Sequence, residues 1–374
     1  MPHTIHPLSI VHIVAPARYG GLETVVTALT RELVRQGDEV CVAVVLLTGD
    51  EDGHPFLAAL DEVGVETAPI VVEGRAYLRE RSMVREVIEQ RHAQVLHTHG
   101  YRPDLVDAPV ARRMGVPVVS TVHGYTGGGL RNRLNEWLQT RALRRSDAVI
   151  AVSSKLRGEL KLAGIQETRL HTIANAWRPT TALLTRRDAR SRLGLEYDDR
   201  VVAWVGRMSF GKGPDIIVKA VAALEDDGVR LSMVGAGAME SDCRALAERL
   251  GIAGRITWHG VVEDAGRHLN AFDVVALTSW SEGTPMVLLE AMSAGVPLVT
   301  TAVGGIPDVV SGEEALLCEA GSVEEVATAI NNIFADTVAA RRRADAAKRR
   351  LETHFDVEAW ALRHRELYHS LVHV

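Results

Sequence analysis

Short apolar runs rich in valine and isoleucine alternate along this chain with longer segments of helical period. The runs fall at 9–15, 39–47, 94–97, 116–122, 148–152 and 170–174, then at 201–206, 230–234, 256–258, 274–277 and 297–301. A strand apolar on both faces has no solvent side, which predicts parallel sheets covered by helices above and below. The pattern therefore predicts two doubly wound α/β units. It lapses across 175–195, a polar, arginine-rich stretch containing Pro179, and strand–loop–helix order resumes at Val201. The expected division is a first domain at 1–180 and a second at 181–354, followed by a terminal segment at 355–374. No internal repeat or low-complexity tract appears, and the basic segment 341–350 fits a solvated helix face.

Length supports the same division, since 374 residues exceed one ordinary α/β core. The net charge of −6 argues against nucleic acid, which selects basic surfaces. Cys41, Cys243 and Cys318 lie far apart, which fits small buried side chains in a reducing cytoplasm better than disulfides or a zinc site. The first apolar stretch is short, is interrupted by His12 and lacks a basic lead, so it reads as a buried strand and not a signal peptide. No run approaches the roughly 20 apolar residues that cross a bilayer.

Ligands of such sheets bind beyond the carboxyl ends of the strands, and the loops there hold the unusual residues. Ser279-Trp-Ser-Glu282-Gly-Thr-Pro285-Met-Val-Leu-Leu-Glu290-Ala-Met-Ser-Ala-Gly295 reads as a helix capped by Thr284, opened by Pro285 and closed by Gly295. Its first amides, on Met286, Val287 and Leu288, lack intrahelical partners and face the positive end of the helix dipole, which suits a diphosphate. Glu282 and Glu290 do not help bind a polyanion. They make sense as acceptors for sugar or ribose hydroxyls, although an ordinary capped helix carries the same pattern.

Arg207 and Lys212, between a strand and the helix opened by Pro214, place two cations on one loop. Such a pair can neutralise a leaving nucleoside diphosphate without a metal, though surface cations in loops are common. Gly20-Gly21 after the first strand and Gly235-Ala-Gly237 after a later one each lack the full dinucleotide-binding spacing. That makes NAD improbable and leaves plain tight turns as an alternative. His97 and His99 share one side of a strand and could touch a metal, but no neighbouring cysteine or carboxylate completes a set. His123-Gly124, at another strand end, is better placed to meet a polar ligand. Asp50 and Asp52 have the spacing that many metal-dependent transferases use, yet lie in a polar loop that reads as solvated.

The order of these motifs resembles glycosyltransferase family 4: Gly-Gly-x-Glu, His-x-His, Thr-x-His-Gly, Val-Ser-Ser, Ile-x-Asn, Val-Gly-Arg with Lys-Gly, Val-Gly-x-Gly, His-Gly-x-Val and Ser-x-x-Glu-Gly-x-Pro-x-x-x-x-Glu-Ala-Met. The resemblance runs from about Ile10 to Val310 and implies the GT-B fold, with two Rossmann-like domains facing a cleft and a C-terminal helix returning to the first. It implies that Arg207 and Lys212 hold the diphosphate, that Glu290 takes the ribose and that Glu282 contacts the transferred sugar beside His123. Gly20, Gly21, Gly235, Gly237, Val262, Pro285, Met286, Val287 and Leu288 would complete the donor site. Two departures stand out: Ala176-Trp177 follows Asn175 where the family has Gly-Val, and Thr284 replaces the common aromatic after Glu-Gly.

The implied reaction is a retaining, metal-independent transfer from a nucleotide sugar. A UDP-sugar is favoured and GDP-mannose comes second, with no cofactor and a glycan, glycolipid or small-molecule hydroxyl as acceptor. A sugar-nucleotide epimerase or hydrolase on the same fold is the alternative. An oxidoreductase and a non-catalytic glycan-binding module fit less well. The segment 129–145 sets Leu130, Leu134, Trp137, Leu138 and Ala142 at helical spacing among five arginines. It reads either as a core-packed helix with a basic rim or as a helix lying on the inner face of a membrane, where a cytoplasmic enzyme would meet a lipid-linked acceptor.

Overall fold

The computed structural model describes residues 6–18, 20–124, 130–179 and 181–372. The chain forms two compact units: residues 1–175 with 357–374, and residues 176–356.

The first unit is built on a parallel sheet of seven strands: β1 (Ser9–Val14), β2 (Glu39–Leu47), β3 (Glu66–Val72), β4 (Val95–His99), β5 (Val118–Val122), β6 (Ala148–Ala151) and β7 (Leu170–Thr172). Their order is β3-β2-β1-β4-β5-β6-β7. The second unit has a parallel sheet of six: β8 (Arg200–Val205), β9 (Val229–Val234), β10 (Ile256–Gly260), β11 (Val274–Leu277), β12 (Leu298–Thr301) and β13 (Leu316–Cys318). Their order is β10-β9-β8-β11-β12-β13. Central strands such as β5, β6 and β11 are buried along their whole length, which is why they read as unbroken apolar runs.

Both sheets reverse strand order once, between β1 and β4 and between β8 and β11. At each reversal the connections leave in opposite directions and open a crevice at the carboxyl ends. Chemistry-bearing residues collect at both places.

The sequence pattern missed two strands, and both are edges. β3 contains Pro69, which an edge strand tolerates, and β13 is only three residues long. Within the arginine-rich stretch where the strand pattern lapses, the chain folds into the helix Arg186–Leu193. Its Arg190 is buried, donating to the carbonyls of Glu196, Tyr197, Asp199 and Ala271 and pairing with Asp273 at 3.0 Å. That stretch is an anchor of the second unit. No helix among the described residues is long and apolar enough to cross a membrane.

Candidate active site

In the second unit the loops after β8 and β11 meet across the strand reversal. The Lys212 ammonium donates to both carboxylate oxygens of Glu282, each at 2.7 Å. Ser279 Oγ donates to Oε1 of the same carboxylate at 2.6 Å. The sequence suggested two cations free to face a phosphate. In the structure Lys212 is already neutralised and Arg207 alone of the pair is exposed.

The helix that carries Glu290 spans Met286–Ala294, so it starts one residue later than expected. Pro285, with extended dihedrals, occupies the capping position assigned to Thr284. The amide of Leu288 is taken by the Pro285 carbonyl at 3.1 Å, which removes it from the expected trio of free donors. Gly295 ends the helix in the left-handed conformation, as its position suggested.

Glu290 is half-buried, and among the described residues no hydrogen bond or ion pair reaches its carboxylate. Desolvation, with the Asp264 carboxylate adding to it, pushes its pKa up to about 7. The turn Ala265–Ala271 brings Gly266 against this carboxylate: a Cβ there would lie 3.4 Å from its carboxyl carbon. Val262 lies just before that turn, half-buried.

Gly235 and Gly237 leave room for neighbouring backbone. A Cβ on Gly235 would collide with the carbonyl oxygen of Gly206, and one on Gly237 with that of Met208. They let the loops after β8 and β9 touch backbone to backbone. Gly304, after β12, packs in the same way on the Glu282 carbonyl, which also accepts from the Gly305 amide at 3.0 Å. Gly304 was not singled out from the sequence, and its left-handed φ of 59° marks it as required.

In the first unit Gly20 precedes and Gly21 opens the helix Gly21–Arg35 after β1, and the Glu23 carboxylate ties back to the Ala17 amide at 2.7 Å. Beyond these lies a group of buried imidazoles. β1 and β4 set His12 opposite His97, and Val14 opposite His99. His12 Nδ1 lies 2.9 Å from His99 Nε2, and His99 Nδ1 lies 3.3 Å from His123 Nε2. His97 is held between Tyr368 Oη and Thr121 Oγ1, both at 2.7 Å. His364 adds its ring, with Nδ1 donating to the Trp360 carbonyl at 2.9 Å. Burial lowers every one of these imidazoles: His12 to about 3, His123 and His364 to about 4, and His97 and His99 well below the ordinary value.

His12, His97 and His99 each offer one ring nitrogen within 4.8 Å of the others, which is metal-like spacing. The donor set does not fit a cation as it stands. His97 and His99 use both nitrogens in hydrogen bonds and His12 uses Nδ1, so only His12 Nε2 is left without a partner among the described residues. Asp50 and Asp52 are exposed beyond β2.

Family models match in tandem along the chain. Residues 19–179 match Glycosyltransferase Family 4, and residues 199–336 match the group 1 glycosyl transferases. The chain belongs to glycosyltransferase family 4. The enzyme is 28% identical over 355 residues to the glycogen synthase of Mycobacterium tuberculosis, covering 88% of this chain and 81% of that protein. It is 31% identical over 271 residues to the D-inositol 3-phosphate glycosyltransferase of Mycobacterium bovis, covering 66% of this chain and 55% of that one. Among solved structures, HepE of Anabaena in complex with UDP and glucose superposes with a TM-score of 0.86 at 21% identity, covering 97% of this chain and 100% of that chain. The sucrose-phosphate synthase of Thermosynechococcus elongatus gives 0.79 at 21% identity, covering 97% and 99%. These neighbours share the GT-B fold.

In this glycosyltransferase, then, Lys212, Glu282, Ser279 and the Gly304 turn come together in the second unit, as do Glu290, Asp264 and Gly266. His123 joins His99 and His12 in the first. The sequence left its own clue to His12: it is the one polar residue in an otherwise apolar stretch of β1.

The helix Leu130–Leu143 does not bury its apolar side as the core-packed reading requires. Leu134 and Trp137 are exposed, at 56% and 58%, and Arg141 lies over the Trp137 ring at 5.9 Å. The buried side instead presents Leu143 and Gln139, whose amide donates to Asp104 at 2.8 Å. Side chains of residues 130–133 lie outside the described set.

Proposed function

We propose that this enzyme transfers a sugar, with retention at the anomeric carbon and without a metal, from a nucleotide sugar to an acceptor hydroxyl. A UDP-sugar is the first choice of donor and GDP-mannose the second. The acceptor is a hydroxyl of a glycan, a glycolipid or a small molecule. The observation that carries the reading is the Lys212–Glu282 pair at the strand reversal, with Glu290 half-buried on the helix that follows. That HepE was crystallised with UDP and glucose supports the donor class.

Each residue then has a chemical task. The unpartnered carboxylate of Glu290 accepts from ribose hydroxyls. An arriving diphosphate draws the Lys212 ammonium off Glu282, and together with Arg207 it stabilises the charge that grows on the leaving group. Glu282, released, accepts from hydroxyls of the transferred sugar, and His123 is read as a second sugar contact. The bond from the anomeric carbon to the phosphate oxygen breaks while the acceptor oxygen bonds to the same face. The departing phosphate oxygen takes the acceptor's proton, giving glycoside and nucleoside diphosphate. No separate base is required.

The exposed Leu134 and Trp137 beside Arg141 support a contact between the helix Leu130–Leu143 and anionic bilayer at the cytoplasmic face, which favours a lipid-linked acceptor.

The test is turnover of a nucleotide-sugar panel in excess chelator, with the product's anomeric configuration read by NMR. The expected result is a UDP-sugar consumed only with acceptor, chelator-resistant, giving a product of the donor's configuration. Inverted product, or activity lost to chelator and restored by Mn²⁺, overturns the mechanism. Fast donor turnover without acceptor turns the reading to the epimerase or hydrolase.

A further inference from the structure

The imidazoles of His12, His99 and His123 form a row: Nδ1 of His12 faces Nε2 of His99 at 2.9 Å, and Nδ1 of His99 faces Nε2 of His123 at 3.3 Å. Burial keeps all three uncharged at neutral pH. A neutral imidazole carries one N–H, and the bond made by one nitrogen dictates the state of the other. The row therefore has two self-consistent proton orders, running in opposite directions.

The inner end chooses between them. His12 is wholly buried, and its Nε2 meets no partner among the described residues. If the protons run inward, that nitrogen becomes a buried N–H with nothing to donate to, which native structures rarely contain. If they run outward, it is a bare lone pair, the lesser cost. His12 Nδ1–H then donates to His99 Nε2, His99 Nδ1–H donates to His123 Nε2, and the proton of His123 rests on Nδ1.

We propose that His12 and His99 are positioning residues that hold His123 as its Nδ1–H tautomer, so that His123 meets its ligand as a hydrogen-bond donor to oxygen. The proposal rests on the reading of His123 as a sugar contact and deepens it. A donor discriminates: it favours a hydroxyl or phosphate oxygen with a free lone pair. The same row explains two buried histidines that no step of the transfer otherwise uses. His97, held by Tyr368 and Thr121, lies outside the row and packs its ring 4.1 Å from that of His99.

Two-bond proton–nitrogen NMR on the full chain with ¹⁵N-labelled histidine reads the tautomer directly, with signals assigned from single histidine variants. In the wild type, His123 is expected as Nδ1–H alone. His99→Leu removes the donor and should give His123 a mixture of tautomers with kcat about tenfold or more lower, while KM moves little. His99→Asn keeps an N–H toward His123 and should restore the single tautomer and most of kcat. If His99→Leu fails to fold, the wild-type spectrum still decides. A wild-type His123 protonated on Nε2 overturns the proposal, as does a His99→Leu protein with His123 and kcat unchanged. One equivalent of Zn²⁺ moving the His12, His97 and His99 signals together would replace it with a metal site. Failure of the underlying functional reading looks different: His123→Ala would keep full turnover although the wild-type tautomer is as stated.

Discussion

A carboxyl group that gives up its proton only near neutrality is a sensitive reporter, and Glu290 is such a group. Ribose hydroxyls donate best to the ionised form, so nucleotide affinity should rise as pH increases through about 7. Glu290→Ala should weaken free nucleotide and nucleotide sugar alike by about 1.5–3 kcal/mol, roughly ten- to a hundredfold in calorimetry, and should abolish that pH dependence. Equal affinity for wild type and variant would remove Glu290 from the donor site. Lys212→Ala should lower kcat by about 10²–10³ and also lower the melting temperature modestly, because Lys212 is 37% exposed but its removal leaves the 7%-exposed Glu282 carboxylate with Ser279 as its remaining donor. The variants Lys212→Ala and Glu282→Gln should be strongly non-additive in turnover, since the two side chains grip each other. Sequence spacing picked out both residues, but it could not show that a lysine seventy positions before a glutamate bonds to it. That contact exists only because β8 and β11 are neighbours in the sheet. His12 and His99 were likewise legible as anomalies in apolar strands, while their alignment depended on the β1–β4 register.

At the scale of elements, what the chain pattern conveyed and what it hid follow from burial. Central strands announce themselves because both faces are covered. The edge strands β3 and β13 do not: β3 is fully buried at only two of its positions and β13 is three residues long, whereas the edges β7 and β10 were visible as apolar runs. Glycine-bearing turns were visible only as punctuation, and their reason, one loop's backbone pressed on another's carbonyl, lies in the third dimension. Gly304→Ala tests such a turn: with a left-handed φ and the Glu282 carbonyl in the way, it should cost more than about 1 kcal/mol and loosen the 279–285 loop. Thermal unfolding gives the first quantity, and donor KM the second. The helix Leu130–Leu143 shows the opposite failing, an apolar periodicity that faces outward while a glutamine turns in to a buried aspartate. Leu134→Ser with Trp137→Ser should abolish sedimentation with anionic vesicles at low salt and leave soluble-acceptor turnover unchanged. Wild-type protein that never sediments with such vesicles removes the membrane from the account.

For the molecule as a whole, acid should act through the first unit. His12, His97, His99, His123 and His364 stay neutral in the folded state well below the pH at which a free histidine charges. Their depressed values leave stability intact above about pH 6.5 and drain it as pH falls toward 4, because only the unfolded chain binds the protons. Asp104, raised to about 6, and Asp107 and Asp38, also raised by burial, act with the opposite sign over part of that window. The histidines outnumber them, so amide exchange at pH 5 should quicken in the first unit before the second. Uniform behaviour of the two units would contradict this balance.

The helix Val357–Val372 belongs to the first unit although it is reached only after the whole second unit has been spelled out. It supplies the buried Trp360, the Tyr368 that grips His97 and the Arg365 that pairs with Asp38 at 2.8 Å. On the ribosome this inverts the usual timetable in which what emerges first matures first. Residues 176–356 can close as soon as they clear the exit tunnel, while the first 175, although they hold all seven strands of their sheet, must wait for the final helix to complete their core. A nascent chain cut short at Asp356 would then carry a protease-resistant second half and a protease-sensitive first half. The last helix thus serves as a proofreading seal: His97 gains its Tyr368 partner, and His12 the Tyr368 ring at its side, only in a chain that was translated past it.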